Sequence, residues 1–193
     1  MKIVCIGDSL TYGYMVDNPN RWTQLCEDKY NIDFINKGKL GDTTAGMMYR
    51  FYEDVVLQKP AICIIMGGTN DFLMNSNLNN VEDNIMTMIE EGMNNNINMI
   101  IGIQPPVIPS MAKALWASEV NYEIINQKLL HYRDWCINFS SEINIPYIDF
   151  YNRIKSEISI ETPNKLYIDG VHVNIKGHKL MAEAVFEALN PII

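Results

Sequence analysis

Short apolar runs alternate along the chain with longer stretches of helical period. Residues 2–6, 32–35, 61–66, 97–103 and 146–148 read as five strands, set off by glycine, asparagine or proline. The runs AICIIM and NMIIGI place apolar residues at consecutive rather than alternate positions, which suits strands covered on both faces. Between the strands, residues 21–30, 43–58, 81–94, 118–143 and 176–189 carry helical spacing; in the last, Leu180, Ala184 and Ala188 fall on one face. Strand and helix in alternation predict a parallel sheet with helices packed on both sides. The 75–80 stretch and Asn94-Asn95-Asn96 are turn or helix-start material. No repeat or linker interrupts the 193 residues, so one domain over 1–193 is expected.

Composition narrows what such a domain does. With 48% hydrophobic and 20% charged residues the chain is an ordinary globular mixture, which excludes disorder and fibrous repeats. Fifteen Lys and Arg against 23 Asp and Glu leave a net charge of −8, which repels phosphate backbones and anionic lipid surfaces. No nucleic-acid partner is expected. The longest apolar runs fall far short of the roughly 20 residues that span a bilayer. Residues 2–6 run directly into Gly7-Asp8-Ser9, leaving no room for a cleavable signal if those residues matter. Cys5, Cys26, Cys63 and Cys136 form no CxxC pair, so reduced thiols and a cytoplasmic location are expected; a bridge between Cys5 and Cys63 on neighbouring strands is the competing reading.

In an open parallel sheet the carboxyl ends of the strands line the ligand crevice. Four polar motifs sit at such places or just before the last helix: Gly7-Asp8-Ser9-Leu10-Thr11, the stretch from Asn36 to Thr43 containing Gly41, Gly67-Gly68-Thr69-Asn70-Asp71, and Asp169-Gly170-Val171-His172-Val173-Asn174. Together they supply what acyl transfer needs. Ser9, held at a turn that glycine permits, is the candidate nucleophile, and a serine attacks usefully only when an imidazole takes its proton. His172 is the candidate base. Asp169, three residues earlier across Gly170, can reach round a tight turn to accept from the imidazole and fix its tautomer. For the oxyanion, the donors are the Asn70 amide, the Gly41 N–H and the Ser9 N–H.

GDSLTYGY, NKGKLGDTT, GGTND and DGVHVN occur in this order from Gly7 to Asn174, and in them the chain resembles the SGNH hydrolases, the GDSL esterase and lipase family. The resemblance implies a flavodoxin-like three-layer α/β/α sandwich with a five-stranded parallel sheet in the order 2-1-3-4-5. It also implies Ser9 as nucleophile, Gly41 and Asn70 in the oxyanion hole, His172 as base and Asp169 as its partner. A G-x-S-x-G elbow of the α/β-hydrolase kind is absent around Ser9, and neither a Walker lysine motif nor GxGxxG follows the first strand.

The expected activity is hydrolysis of a short acyl or acetyl ester through an acyl-enzyme, with a small-molecule substrate and without cofactor or metal. Thioesterase or lysophospholipase activity at the same site, and a silent binding domain, are the alternatives. Oligomeric state is not legible. Asp169, His172 and His178 could also be read as metal ligands, but His178 is better placed as a packing residue of the last helix and His131 as a partly exposed helical one. Asp8 and Asp71 are expected to orient loops by accepting backbone N–H bonds. The 105–116 segment, PPVIPSMAKALW, either walls the acyl pocket or packs as a satellite cluster. Met15, Met47 and Met48 could line the pocket or fill core.

Overall fold

The computed structural model describes residues 1–158 and 162–192. Five parallel strands, β1 (Lys2–Gly7), β2 (Asp33–Gly38), β3 (Ile62–Met66), β4 (Asn98–Ile103) and β5 (Tyr147–Asp149), form one sheet in the order β2-β1-β3-β4-β5. The sheet is the one expected, and its handedness explains the layers. From β1 the chain moves outward one way to β2, then returns past β1 and continues the other way. Right-handed crossovers therefore place α2 (Trp22–Tyr30) on one face and α3 (Thr44–Asp54), α5 (Leu78–Asn94) and α7 (Tyr122–Glu142) on the other. Two further helices, α8 (Phe150–Ile158) and α9 (Ile175–Leu189), join the α2 face.

Strand residues alternate between two cores. Val4, Ile6, Cys63, Ile65 and Ile101 face α3, α5 and α7, while Ile3, Cys5, Ile62, Ile64 and Ile100 face α2, α8 and α9. This excludes the Cys5–Cys63 bridge: Val4 is the register partner of Cys63, so Cys5 lies one position on and points to the opposite face. All four cysteines are free and buried. Among the described residues no helix is long and apolar enough to cross a membrane.

Several boundaries differ from expectation for local reasons. β2 runs on through the polar residues to Gly38 because its side chains are satisfied at the edge: the Asn36 amide donates to the Thr11 carbonyl at 2.7 Å and to Thr23 Oγ1 at 3.0 Å. Asn77 and Asn121 cap α5 and α7, accepting the N–H groups of Asn80 and Ile124, and so set the starts at Leu78 and Tyr122. The 43–58 helix stops at Asp54 and gives way to a 3₁₀ turn, Val56–Gln58. Helix α8 was not expected. It has little more than two turns, and its start is marked only by Asp149, whose side chain accepts the Asn152 N–H at 2.9 Å.

One buried contact ties together two helices, α2 and α9, that share a face of the sheet. Arg21, at the start of α2, offers no side-chain cap, and the Trp22 N–H instead donates to Nδ1 of His178 on α9 at 3.2 Å. An imidazole can accept there only while neutral. Burial, reinforced by Arg21 and His172, pushes His178 down to about 4. A histidine with a depressed native pKa contributes stability that is whole above its unfolded value near 6.5 and is lost as pH falls toward the native value. Between pH 7.5 and 5.0 this one group should therefore cost about 2 kcal/mol in urea unfolding. The loss should vanish in His178→Gln, which keeps a neutral acceptor; an identical pH dependence in both proteins would rule out this role.

Candidate active site

The carboxyl ends of β1, β2 and β3 and the loop before α9 meet at one edge of the sheet, where the strand order reverses. Ser9 is the first residue of the short helix α1 (Ser9–Tyr12), directly after β1. Its backbone N–H, at the first helical position, has no carbonyl within the helix to donate to. Asp8 caps that helix by accepting the Leu10 N–H at 2.9 Å. Gly7 is required here for space and not for a turn with positive φ: a Cβ would stand 2.5 Å from the Met66 carbonyl oxygen and 2.2 Å from Thr11 Oγ1.

Asp169 and His172 lie on the same tight loop. Asp169 Oδ1 accepts the N–H groups of Val171 at 2.9 Å and His172 at 2.8 Å, and Oδ2 lies 2.7 Å from His172 Nδ1. The turn passes through Gly170 at φ +91°, and a side chain there would stand 2.5 Å from the Ala112 backbone nitrogen. Burial raises the Asp169 carboxyl, but the hydrogen bonds from the His172 ring and from the His172 and Val171 backbone outweigh it and hold the group below the usual carboxylate range. An ionised Asp169 accepts, so Nδ1 carries the proton and Nε2 is left as an acceptor. Nε2 is 2.9 Å from Ser9 Oγ. Both Ser9 and His172 are buried, yet both line the cleft.

The cleft holds about 360 Å³. Gly41 and Asn70 line it on the β2 and β3 side, and Gly41 adopts φ +71° with nothing within 4 Å of where a side chain would begin. The Asn70 amide nitrogen donates to the Asp42 carbonyl at 2.8 Å and lies 3.5 Å from Asp8 Oδ2. Leu40, Tyr14, Leu115 and Trp116 form the remaining walls. The 105–116 segment thus divides: Val107, Ile108 and Ala112 are buried in the cores, while Leu115 and Trp116, at the end of α6 (Pro109–Leu115), reach the cleft. Met47 is buried, and Met15 and Met48 are exposed; none of the three lines the cleft.

Two supporting residues escape a reading of motifs. Gln104, wholly buried after β4, donates from Nε2 to Asp8 Oδ2 at 2.6 Å and accepts at Oε1 from the Thr69 N–H at 2.5 Å and Thr69 Oγ1 at 2.7 Å. It joins the loops that carry Ser9 and Asn70. The only hint in the sequence is a polar residue ending an apolar strand before Pro105-Pro106. Burial pushes the Asp8 carboxyl up to about 6, against the Leu10 N–H and Gln104 donors. Arg50 on α3 donates to Asp42 Oδ2 at 2.8 Å, to the Lys37 carbonyl at 2.8 Å and to the Gly7 carbonyl at 3.0 Å, which fastens the Gly41 loop to the ends of β1 and β2.

Asp71 accepts the Thr44 N–H at 2.9 Å and the Thr44 hydroxyl at 2.7 Å, so it orients the start of α3. Asp8 does more than the loop role expected of it, because it also receives the Gln104 side chain. His131 is exposed on α7. His178 is committed to α2, and among the described residues no three His, Cys, Asp or Glu side chains could hold a metal ion.

A model of the GDSL-like Lipase/Acylhydrolase family matches residues 5–180. The chain is similar to the uncharacterized lipoprotein YqeF of Bacillus subtilis, at 25% identity over 95% of this chain and 87% of that one. Among solved structures, a member of the lipolytic protein G-D-S-L family from Veillonella parvula superposes over the whole of both chains with a TM-score of 0.84 at 25% identity. An acetylxylan esterase from Geobacillus stearothermophilus shares the fold at 20% identity, with a TM-score of 0.80 over 97% of this chain and 93% of that one. The family match spans every segment that reaches the cleft, and by it the chain belongs to the GDSL-like Lipase/Acylhydrolase family and is a hydrolase of the esterase type.

Proposed function

We propose that residues 1–193 act as one catalytic domain that hydrolyses short acyl esters, acetyl esters foremost, through an acyl-enzyme on Ser9. The observation that carries this reading is the chain of contacts from Asp169 through His172 to Ser9, at 2.7 and 2.9 Å. Ser9 Oγ bonds to the carbonyl carbon as its proton passes to His172 Nε2, and Asp169 stabilises the imidazolium. The electron pair displaced onto the carbonyl oxygen is met by the N–H groups of Ser9 and Gly41 and by the Asn70 amide. The tetrahedral species collapses by breaking the bond to the alcohol, whose oxygen takes the proton from Nε2. Water then attacks the acyl carbon, gives its proton to Nε2, and releases the acid as that proton returns to Ser9.

Short acyl groups are favoured because the cleft is small, about 360 Å³, and is open at walls made by half-exposed Leu40, Leu115 and Trp116 rather than by a deep tunnel. Acetyl is put first because a protein of the same fold is an acetylxylan esterase. The four free thiols suit a reducing compartment, and the cytoplasm is the proposed location.

Three outcomes test the reading with a panel of p-nitrophenyl esters of increasing chain length and acetylated xylo-oligosaccharides. Ser9→Ala should fall to the uncatalysed background on every substrate, and Asn70→Ala should lose about 100- to 1000-fold in kcat while remaining measurably active. The acetyl and butyryl esters should exceed the decanoyl ester in kcat/KM. Undiminished turnover by Ser9→Ala would remove the nucleophile, and a decanoyl optimum would replace the short-chain reading with a lipase or lysophospholipase one.

A further inference from the structure

Trp116 meets His172 in an orientation that a cleft wall alone does not require. The indole lies face to face with the imidazole, with centroids 4.8 Å apart and planes 17° from parallel. Tyr14 also touches the imidazole, with centroids at 4.4 Å and planes tilted by 43°. Trp116 closes α6, is 46% exposed, and comes from the far side of the cleft in sequence, 56 positions before His172. Its segment is anchored where the His172 loop turns: the Ile108 N–H donates to the Gly170 carbonyl at 2.7 Å, and the Tyr167 hydroxyl donates to the Pro106 carbonyl at 2.5 Å. The indole is thus tied to the same loop that it covers.

The face of an indole is negative, so it attracts a cation lying over it more strongly than a neutral ring. In the proposed reaction His172 is neutral before attack and positive in the transition state. An interaction that strengthens as charge develops lowers the barrier, whereas one of constant strength does not. The indole also limits rotation of the imidazole away from Ser9, because turning the ring would break the stack. We propose that Trp116 is a positioning residue for ester hydrolysis: its indole face holds the His172 ring toward Ser9 and favours the imidazolium form as Ser9 attacks. The inference rests on the assignment of His172 as the base.

Other charged or titratable groups touch this ring or act on it or on Asp169 through their charge. Asp169 comes from its own loop; Asp8, Ser9 and Tyr14 come from the segment after β1; His178 comes from α9 with Arg21 beside it, and Tyr122 on α7 faces Asp169. Their effects are common to a wild type and a Trp116 variant, so the comparison between the two isolates the indole.

The test measures kcat and kcat/KM for p-nitrophenyl acetate from pH 5 to 9 in the wild type, Trp116→Ala, Trp116→Phe and Ser9→Ala. The His172 ring is followed in parallel by proton NMR titration without substrate. In Trp116→Ala the acid limb and the NMR midpoint should both move down by about half a pH unit, and kcat should fall about two- to fivefold. Trp116→Phe should recover most of both changes, since it restores an aromatic face. An unmoved limb and NMR midpoint, a change confined to KM, or equal shifts in the Phe and Ala variants would overturn the inference while leaving the hydrolase reading intact. Full activity in Ser9→Ala would overturn both.

Discussion

The hydrogen bond between Asp169 and His172 Nδ1 is the constraint on which the site depends. A serine hydroxyl at neutral pH is a poor nucleophile, and only an unprotonated ring nitrogen within hydrogen-bond reach changes that. Which nitrogen is unprotonated is decided by the partner of the other one. Asp169 makes that decision because its own loop supplies two backbone donors to one oxygen, leaving the second oxygen for the ring. The turn is possible only with Gly170 in a left-handed conformation against the start of α6. Local backbone geometry, a carboxylate kept ionised and a selected tautomer are therefore one arrangement.

The fold provides the rest by topology. Reversal of strand order between β2 and β3 places the ends of two loops on either side of β1, and the buried Gln104 amide bridges two of the three segments at their bases. A carboxylate such as Asp8, buried at the base of the cleft, is costly unless donors surround it. The Leu10 N–H and Gln104 are those donors. Arg50 does the equivalent for the Gly41 loop, joining Asp42 to two strand-end carbonyls. Asp8, Gln104 and Arg50 each have a partner, and together they hold the loops around the cleft in place.

Much of this is legible in the sequence. Consecutive apolar residues in AICIIM and NMIIGI mark strands buried on both faces, and the glycine-rich GGTND after the first and the Pro105-Pro106 pair after the second mark where they end. The three-residue offset from Asp169 to His172 across Gly170 permits their tight turn. What was hidden is long-range or brief. Gln104 is one polar letter at the end of a strand, and nothing local tells that it will meet Asp8, 96 positions away. The stack of Trp116 on His172 depends on the path of α6 and has no periodic signature. Helix α8 is too short for its apolar spacing to stand out, and the facing of Cys5 against Cys63 is set by a register that composition does not carry. Gly7 reads in the sequence as permitting a turn, whereas in the fold it makes room for the Met66 carbonyl and Thr11.

The most direct measurement of the central claim is active-site labelling of the intact protein with a fluorophosphonate, followed by mass spectrometry of the whole chain and of its peptides. One adduct per chain should form on the peptide containing Ser9. Labelling should slow by at least about a thousandfold in His172→Ala, since an unassisted hydroxyl does not attack phosphorus at a useful rate. A label on any other residue, or labelling of Ser9 at the wild-type rate without His172, would contradict the account.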